Sequence, residues 1–215
     1  METASNARGV IFGAVPCGDW SFLGDYLTED MKVYCADGGL SGALAAGLTP
    51  HLVVGDWDSG GHPVTGVPCT VLPVEKDLTD LQAAMDLALA DGCTELVLCG
   101  CVGGRRLDHT VFNLLLLEWL KDRGGRGIIV DRESETRLLD GEEVLLSGGP
   151  KYHYLSLAPL DRQLTGVTME GVKYPLRNAT LTRGDTLSVS NEQTAPQARI
   201  KVGEGRALLI RSQRD

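Results

Sequence analysis

Leu52-Val53-Val54-Gly55-Asp56-Trp57-Asp58-Ser59 places two carboxylates one residue apart directly after a short apolar run and a glycine. A continuous run of β-branched and aliphatic residues reads as a strand buried on both faces, and such strands belong to parallel sheets. The same grammar recurs outward from it. Residues 10–15 and 31–36 are apolar runs, the second ending in Asp37-Gly38-Gly39, and residues 95–99 run into Gly100, Gly103 and Gly104. Residues 128–130 form one more run, closed by Asp131.

Between these runs lie helical patterns. Leu40, Ala43 and Leu44 share a face before Pro50, and Leu78, Leu81, Met85 and Leu89 share another, with Thr79 or Asp77 placed to cap it and Asp80 in its first turn. Phe112, Leu115, Leu116 and Trp119 predict the apolar face of a third helix beginning at Asp108, with His109 and Asn113 four apart. Residues 20–27 read as a short helix. Alternating strand and helix predicts an α/β fold with a doubly wound, mostly parallel sheet and ligands at the carboxyl ends of its strands.

After about residue 140 the texture changes to short alternating runs at 152–157, 164–169, 186–190, 198–202 and 207–211, separated by Gly, Asp, Asn and Pro. This predicts a small all-β sandwich, so the expected division is 1–138 for the α/β catalytic part and 139–215 for the β part, with residues 131–145 as the junction.

The 215 residues are 43% hydrophobic, enough for a substantial core, and carry a formal net charge of -9. That charge repels phosphate backbones and anionic lipid, which argues against nucleic-acid or membrane partners. No apolar run approaches the roughly 20 residues that span a bilayer, and residues 1–8 are polar, so a cytoplasmic protein is expected. The six cysteines (Cys17, Cys35, Cys69, Cys93, Cys99, Cys101) form no CxxC and read as buried or half-buried free thiols, with a zinc or redox site the lesser reading.

Asp is a common turn former, and the Asp56/Asp58 pair alone has that reading with equal weight. It loses ground because Asp37, Asp77, Asp80 and Asp108 sit at equivalent strand or helix ends, where the fold would gather mutually repelling carboxylates. Mg²⁺ resolves the conflict, since it takes oxygen ligands and bridges carboxylates to substrate phosphates. There is neither a G-x-x-x-x-G-K-[ST] nor a G-x-G-x-x-G motif. Phosphate contacts would then fall to the metal, to backbone N–H groups near Gly38-Gly39 and Gly103-Gly104, and to Lys76, Arg105 and Arg106.

Taken together, Ala36-Asp37-Gly38-Gly39, Gly55-Asp56-Trp57-Asp58-Ser59, Lys76-Asp77-Leu78-Thr79-Asp80 and Arg106-Leu107-Asp108-His109 with Asn113 resemble the thiamine pyrophosphokinases, as do the later Gly171-Val172-Lys173-Tyr174-Pro175-Leu176 and Ser190-Asn191-Glu192. The resemblance implies an α/β catalytic domain followed by a β-sandwich, ATP as co-substrate, thiamine as acceptor, and a homodimer with active sites at the subunit interface. It implies Mg²⁺ on Asp56, Asp58 and Asp80, with Asp77 beside them. Asp37, Gly38, Lys76, Thr79, Arg106, Asp108, His109 and Asn113 would lie near ATP, and Tyr174, Ser190 and Asn191 near thiamine. Two departures stand out: Trp57 replaces the frequent Phe or Leu, and Arg105 is additional to the usual Gly-Gly-Arg-x-Asp-His. Which arginine meets phosphate stays open, the spacing to Asp108 favouring Arg106. The alternatives are a Mg²⁺-dependent sugar-nucleotide transferase or phosphatase using Asp56 and Asp58, and a non-catalytic thiamine or nucleotide sensor.

Overall fold

A computed structural model of the chain describes residues 7–56, 66–73, 77–149 and 151–214, which fall into two compact units, Met1–Arg132 and Glu133–Asp215. Among the described residues the first unit has six strands: β1 (Ala7–Phe12), β2 (Lys32–Ala36), β3 (Leu52–Gly55), β4 (Cys69–Val71), β5 (Cys93–Cys99) and β6 (Arg126–Val130). Its α-helices are α1 (Gly39–Ala45), α2 (Asp80–Ala90) and α3 (Leu107–Lys121). The strand order β6-β5-β1-β2-β3-β4 is parallel throughout. Val10, Ile11 and Phe12 have no exposed surface, which is why their run is apolar without alternation.

The order reverses between β1 and β5. Phe12 stands level with Cys35 on one side and Cys99 on the other, and Ala36 level with Val54. The carboxyl ends of β1, β2, β3 and β5 therefore open on one edge, the place where doubly wound sheets leave a crevice.

α2 begins as expected: Thr79 is its N-cap, and its hydroxyl accepts the Gln82 N–H at 3.3 Å. Its buried face is Leu81, Ala84, Met85 and Ala88, while Leu78 is exposed and Leu89 half-buried, so the expected face is only partly right. α3 departs further. It buries Asn113, Leu116, Leu117 and Leu120 and leaves Phe112 66% exposed. Apolar residues occupy nearly every position from 111 to 120, so periodicity cannot choose a face. Glycines in the neighbouring strand choose it: a Cβ on Gly127 would lie 2.8 Å from Leu120 and 2.9 Å from Leu117. Only a hollow left by glycine admits both leucines, and this turns Val111, Phe112 and Leu115 outward. The expected helix over 20–27 is a five-residue 3-10 turn, Ser21–Asp25, entered without a side-chain cap.

The second unit holds β7 (Ser134–Asp140), β8 (Glu143–Ser147), β9 (Tyr154–Pro159), β10 (Gln163–Glu170), β11 (Leu176–Thr182), β12 (Asn191–Glu192), β13 (Gln197–Lys201) and β14 (Arg206–Ser212). They form two antiparallel sheets, β12-β9-β14-β7 and β11-β10-β13-β8. Leu139, Leu155, Leu157 and Leu209 of one sheet share a core with Leu146, Leu164, Val167, Met169 and Ile200 of the other. This is the expected sandwich.

Two local expectations fail in this unit. The stretch taken as a junction contains β7 and the start of β8. Its charges hid it: Glu135 is buried, but Arg211 and Arg137 donate to its Oε1 at 3.0 and 3.2 Å, so a charged sequence can run as a strand with a buried face. Residues 186–190 form a turn rather than a strand. Ser188 is the buried member, donating to the Leu157 carbonyl at 2.6 Å, while Leu187 and Val189 face outward.

Candidate active site

The crevice at the strand ends is built by loops that bind one another. The Gly13 N–H donates to Cys99 O and the Val15 N–H to Gly100 O, both at 2.8 Å. A side chain on Gly13 would strike the Gly100 carbonyl, so glycine is required for this approach. Between them lies a cavity of about 380 Å³, lined by residues 13–16, Asp37, Thr79, Asp80, the strand exit at Gly100 and Cys101, residues 103–106, His109 and Asn113.

Asp37 enters from the end of β2 with a left-handed backbone, φ 47°. Such a conformation costs of order 1–3 kcal/mol in a residue other than glycine and gathers at functional sites. Its N–H is held by Val54 O at 2.7 Å, and Gly55 packs on its Cα, where an added Cβ would lie 3.3 Å away. Asp56, half-buried, follows Gly55 directly. From the other side α2 brings Thr79 and Asp80 to the same cavity.

The far wall is the glycine-rich exit of β5. Gly103 and Gly104 have φ of 78° and 72°. Asn113, 7% exposed, donates Nδ2 to Cys101 O at 2.6 Å. Thr110, in the first turn of α3, accepts the Gly103 N–H at 3.0 Å and donates to Gly103 O at 3.1 Å. Arg106 grips Asp108 through two of its nitrogens, Nε to Oδ1 at 2.9 Å and Nη2 to Oδ2 at 2.6 Å. This hydrogen-bonded pair draws the Asp108 carboxyl down to about 2 and raises the Arg106 guanidinium. Arg105 lines the cavity exposed.

The structure thus gathers Asp37, Thr79, Asp80, Arg106, His109 and Asn113 around one cavity. Asp77 is exposed and, with Asp56, does not line it. Gly38 caps α1 and borders a separate cavity of about 200 Å³ that shares residues 13–16. Asp58 and Lys76 lie outside the described residues. Among the described residues no three acids, histidines or cysteines form a complete metal cage.

In the second unit Tyr174, Ser190 and Asn191 come together. Asn191 is buried; its Oδ1 accepts the Tyr174 N–H at 3.0 Å and its Nδ2 donates to Tyr174 O at 2.8 Å. Ser190 is left-handed, φ 55°, with its N–H on Ser156 Oγ at 2.9 Å. Tyr174 is exposed, with Lys173 Nζ 5.5 Å from its ring centre and 2.7 Å from Glu192.

Sequence reading missed residues 13–16, Cys101 and Thr110. The first had a signal, a glycine and Pro16 closing an apolar run; the other two become visible only when α3 folds back onto the β5 exit. All six cysteines are free, four buried and two half-buried. Burial pushes the Cys35 and Cys101 thiols up to about 12.

Comparison with known proteins supplies two family matches. Residues 23–127 match the thiamin pyrophosphokinase catalytic domain and residues 142–206 the thiamin pyrophosphokinase vitamin B1 binding domain. The thiamine pyrophosphokinase of Bacillus subtilis (strain 168) is 30% identical over 196 residues, covering 88% of this chain and 91% of that one. Among solved structures, the Geobacillus thermodenitrificans thiamin pyrophosphokinase superposes with a TM-score of 0.84 at 31% identity, over 97% of this chain and 98% of the other. The Bacillus subtilis thiamine pyrophosphokinase structure gives 0.87 at 25% identity, over 97% and 100%. The Candida albicans enzyme, at 15% identity and a TM-score of 0.76 over 98% of this chain and 90% of that one, shares the fold.

Proposed function

The chain belongs to the thiamine pyrophosphokinase family, and from that membership we infer that it transfers pyrophosphate from ATP to the hydroxyl of thiamine, giving thiamine diphosphate and AMP. The observation that carries the reading is the cavity at the switch point, where Arg105 and Arg106 after β5, Asp37 after β2 and Asp80 at the start of α2 line one space. The thiamine oxygen bonds to the β-phosphorus, the bond from that phosphorus to the bridging oxygen of AMP breaks, and the hydroxyl proton passes to a nearby base. Such transfers demand little covalent help, so positioning and charge compensation carry the rate.

Each wall has its part. The turn at Gly103 and Gly104 and an arginine beside it would hold phosphate oxygens, with Thr79, Asp37, Asp108, His109 and Asn113 around the nucleotide; Gly38 and Lys76 would complete the nucleotide set. The acids at this edge suit Mg²⁺, which takes oxygen ligands: among the described residues no three potential ligands form a cage, as befits an ion shared with substrate phosphates. Asp80 from α2, with Asp56 and Asp58, would hold it, and Asp77 would be a neighbour of that set. When bound, the ion offsets the charge that develops on the phosphate oxygens.

On the thiamine side, the Ser190 hydroxyl and the Tyr174 ring face the acceptor, and Asn191 acts by fixing both backbone groups of Tyr174. The enzyme works as a homodimer with active sites at the subunit interface; the outward apolar row Leu107, Val111, Phe112 and Leu115 on α3 supports a covered face. Among the described residues no helix is long and apolar enough to cross a membrane. Six free thiols favour the cytoplasm, and the net charge of -9 speaks against nucleic-acid partners. Purified protein with ATP, Mg²⁺ and thiamine should release AMP and thiamine diphosphate in equal amounts, both lost on chelation. ADP or inorganic phosphate as the nucleotide-side product would overturn the reading.

A further inference from the structure

We propose that Thr110 is a positioning residue for this transfer, setting the Gly103-Gly104 turn so that Arg105, rather than Arg106, meets the polyphosphate. The proposal rests on the ATP reading above.

Two successive left-handed glycines make a loop that is loose by itself, because glycine gains little from any one conformation. Something outside the loop must hold it. Thr110 binds both backbone groups of Gly103, at 3.0 and 3.1 Å, and Asn113, nearly one turn further along α3, binds Cys101 O. The helix thereby pins the loop at two points, and Gly104 is kept against Val15, where an added Cβ would stand 3.4 Å from Cγ2.

What the loop presents is then decided by charge. Arg106 is engaged by both oxygens of Asp108, so its charge is compensated within the chain. Arg105 lines the same cavity and makes no ion pair among the described residues. A guanidinium without a carboxylate on it is the better partner for a polyanion, since no existing bond has to be broken. Arg105 directly follows the turn that Thr110 holds, so its aim depends on that turn. Thr110 itself does not line the cavity.

Thr110→Val keeps the shape and removes both hydrogen bonds. It should raise the KM for ATP about tenfold, the equivalent of about one net hydrogen bond, while the KM for thiamine stays unchanged. Thr110→Ser should restore the parent value. Arg105→Gln should raise the KM for ATP at least as much, and adding Thr110→Val to it should cost nothing more, because the group being aimed is gone. Independent, multiplicative losses in the double variant would overturn the proposal, as would an unmoved KM for ATP in Thr110→Val or a larger effect of Arg106→Gln than of Arg105→Gln. Should Thr110→Val fold poorly, Thr110→Ala with the same ATP titration decides. A parent protein that makes no AMP from ATP and thiamine defeats the functional reading instead, which separates the two failures.

Discussion

Replacing Asn113 by Leu tests the join between α3 and the site wall. Asn113 is 7% exposed and Cys101 3%, and the amide reaches the Cys101 carbonyl at 2.6 Å. Leucine has similar bulk and no donor, so the carbonyl is left buried and unsatisfied, at a cost of about 1–3 kcal/mol. Asn113→Ala should cost less, because the space it leaves opens on the cavity and water can reach the carbonyl. All three tryptophans (Trp20, Trp57, Trp119) precede Arg132, so urea unfolding followed by tryptophan fluorescence reports on the first unit. With a slope of roughly 2 kcal/mol per molar, a loss of about 2 kcal/mol lowers the midpoint by about 1 M. Leucine within about 0.5 kcal/mol of the parent, the range of an exposed substitution, or alanine worse than leucine, would refute the reasoning.

Three further outcomes follow from the site. Asp80→Asn and Asp56→Asn should each lower kcat by at least about 10²-fold with the unfolding midpoint preserved; full turnover in either, measured as AMP release, rejects its place in the metal set. Asp108 is held at about 2 by Arg106, below the usual value of about 4. The pair's stabilising effect is therefore complete above pH about 4 and lost as pH falls through about 2; a carboxyl NMR titration of Asp108 centred near 4 would show that the pair does not form. If the proposed homodimer uses this face, Phe112→Asp with Leu115→Asp should lower the mass seen in light scattering from two chains to one while the first unit stays folded; an unchanged mass would reject this face as the contact.

Much of the first unit was legible because its physics is local. A strand covered on both faces must be apolar along its length, so β1, β2, β3 and β5 announce themselves, and Asp37-Gly38 after β2 and Gly55-Asp56 at the end of β3 show where acids are delivered. Thr79 was readable as a cap because capping involves neighbours in sequence. The face of α3 was not readable, since apolar residues surround that helix and Gly127, on the next strand, makes the choice. β7 was hidden for the opposite reason: Glu135 and Arg137 look like surface until Arg211 arrives from β14 to complete the pair.

By itself the sequence determined the strand and helix alternation, the change to a β-rich second part, and the acids and glycines available for a polyphosphate site, because each depends on residues a few positions apart. Only the tertiary structure decided that β1 and β5 lie side by side and open the cavity between them. It alone decided that Arg106 is held by Asp108 while Arg105 stands open, and that Thr110 closes on Gly103. The first and last depend on which strands and loops meet in the fold; the Arg106–Asp108 pair spans only two residues, yet its spacing fits a phosphate contact as well, and only the fold shows which arginine it leaves free.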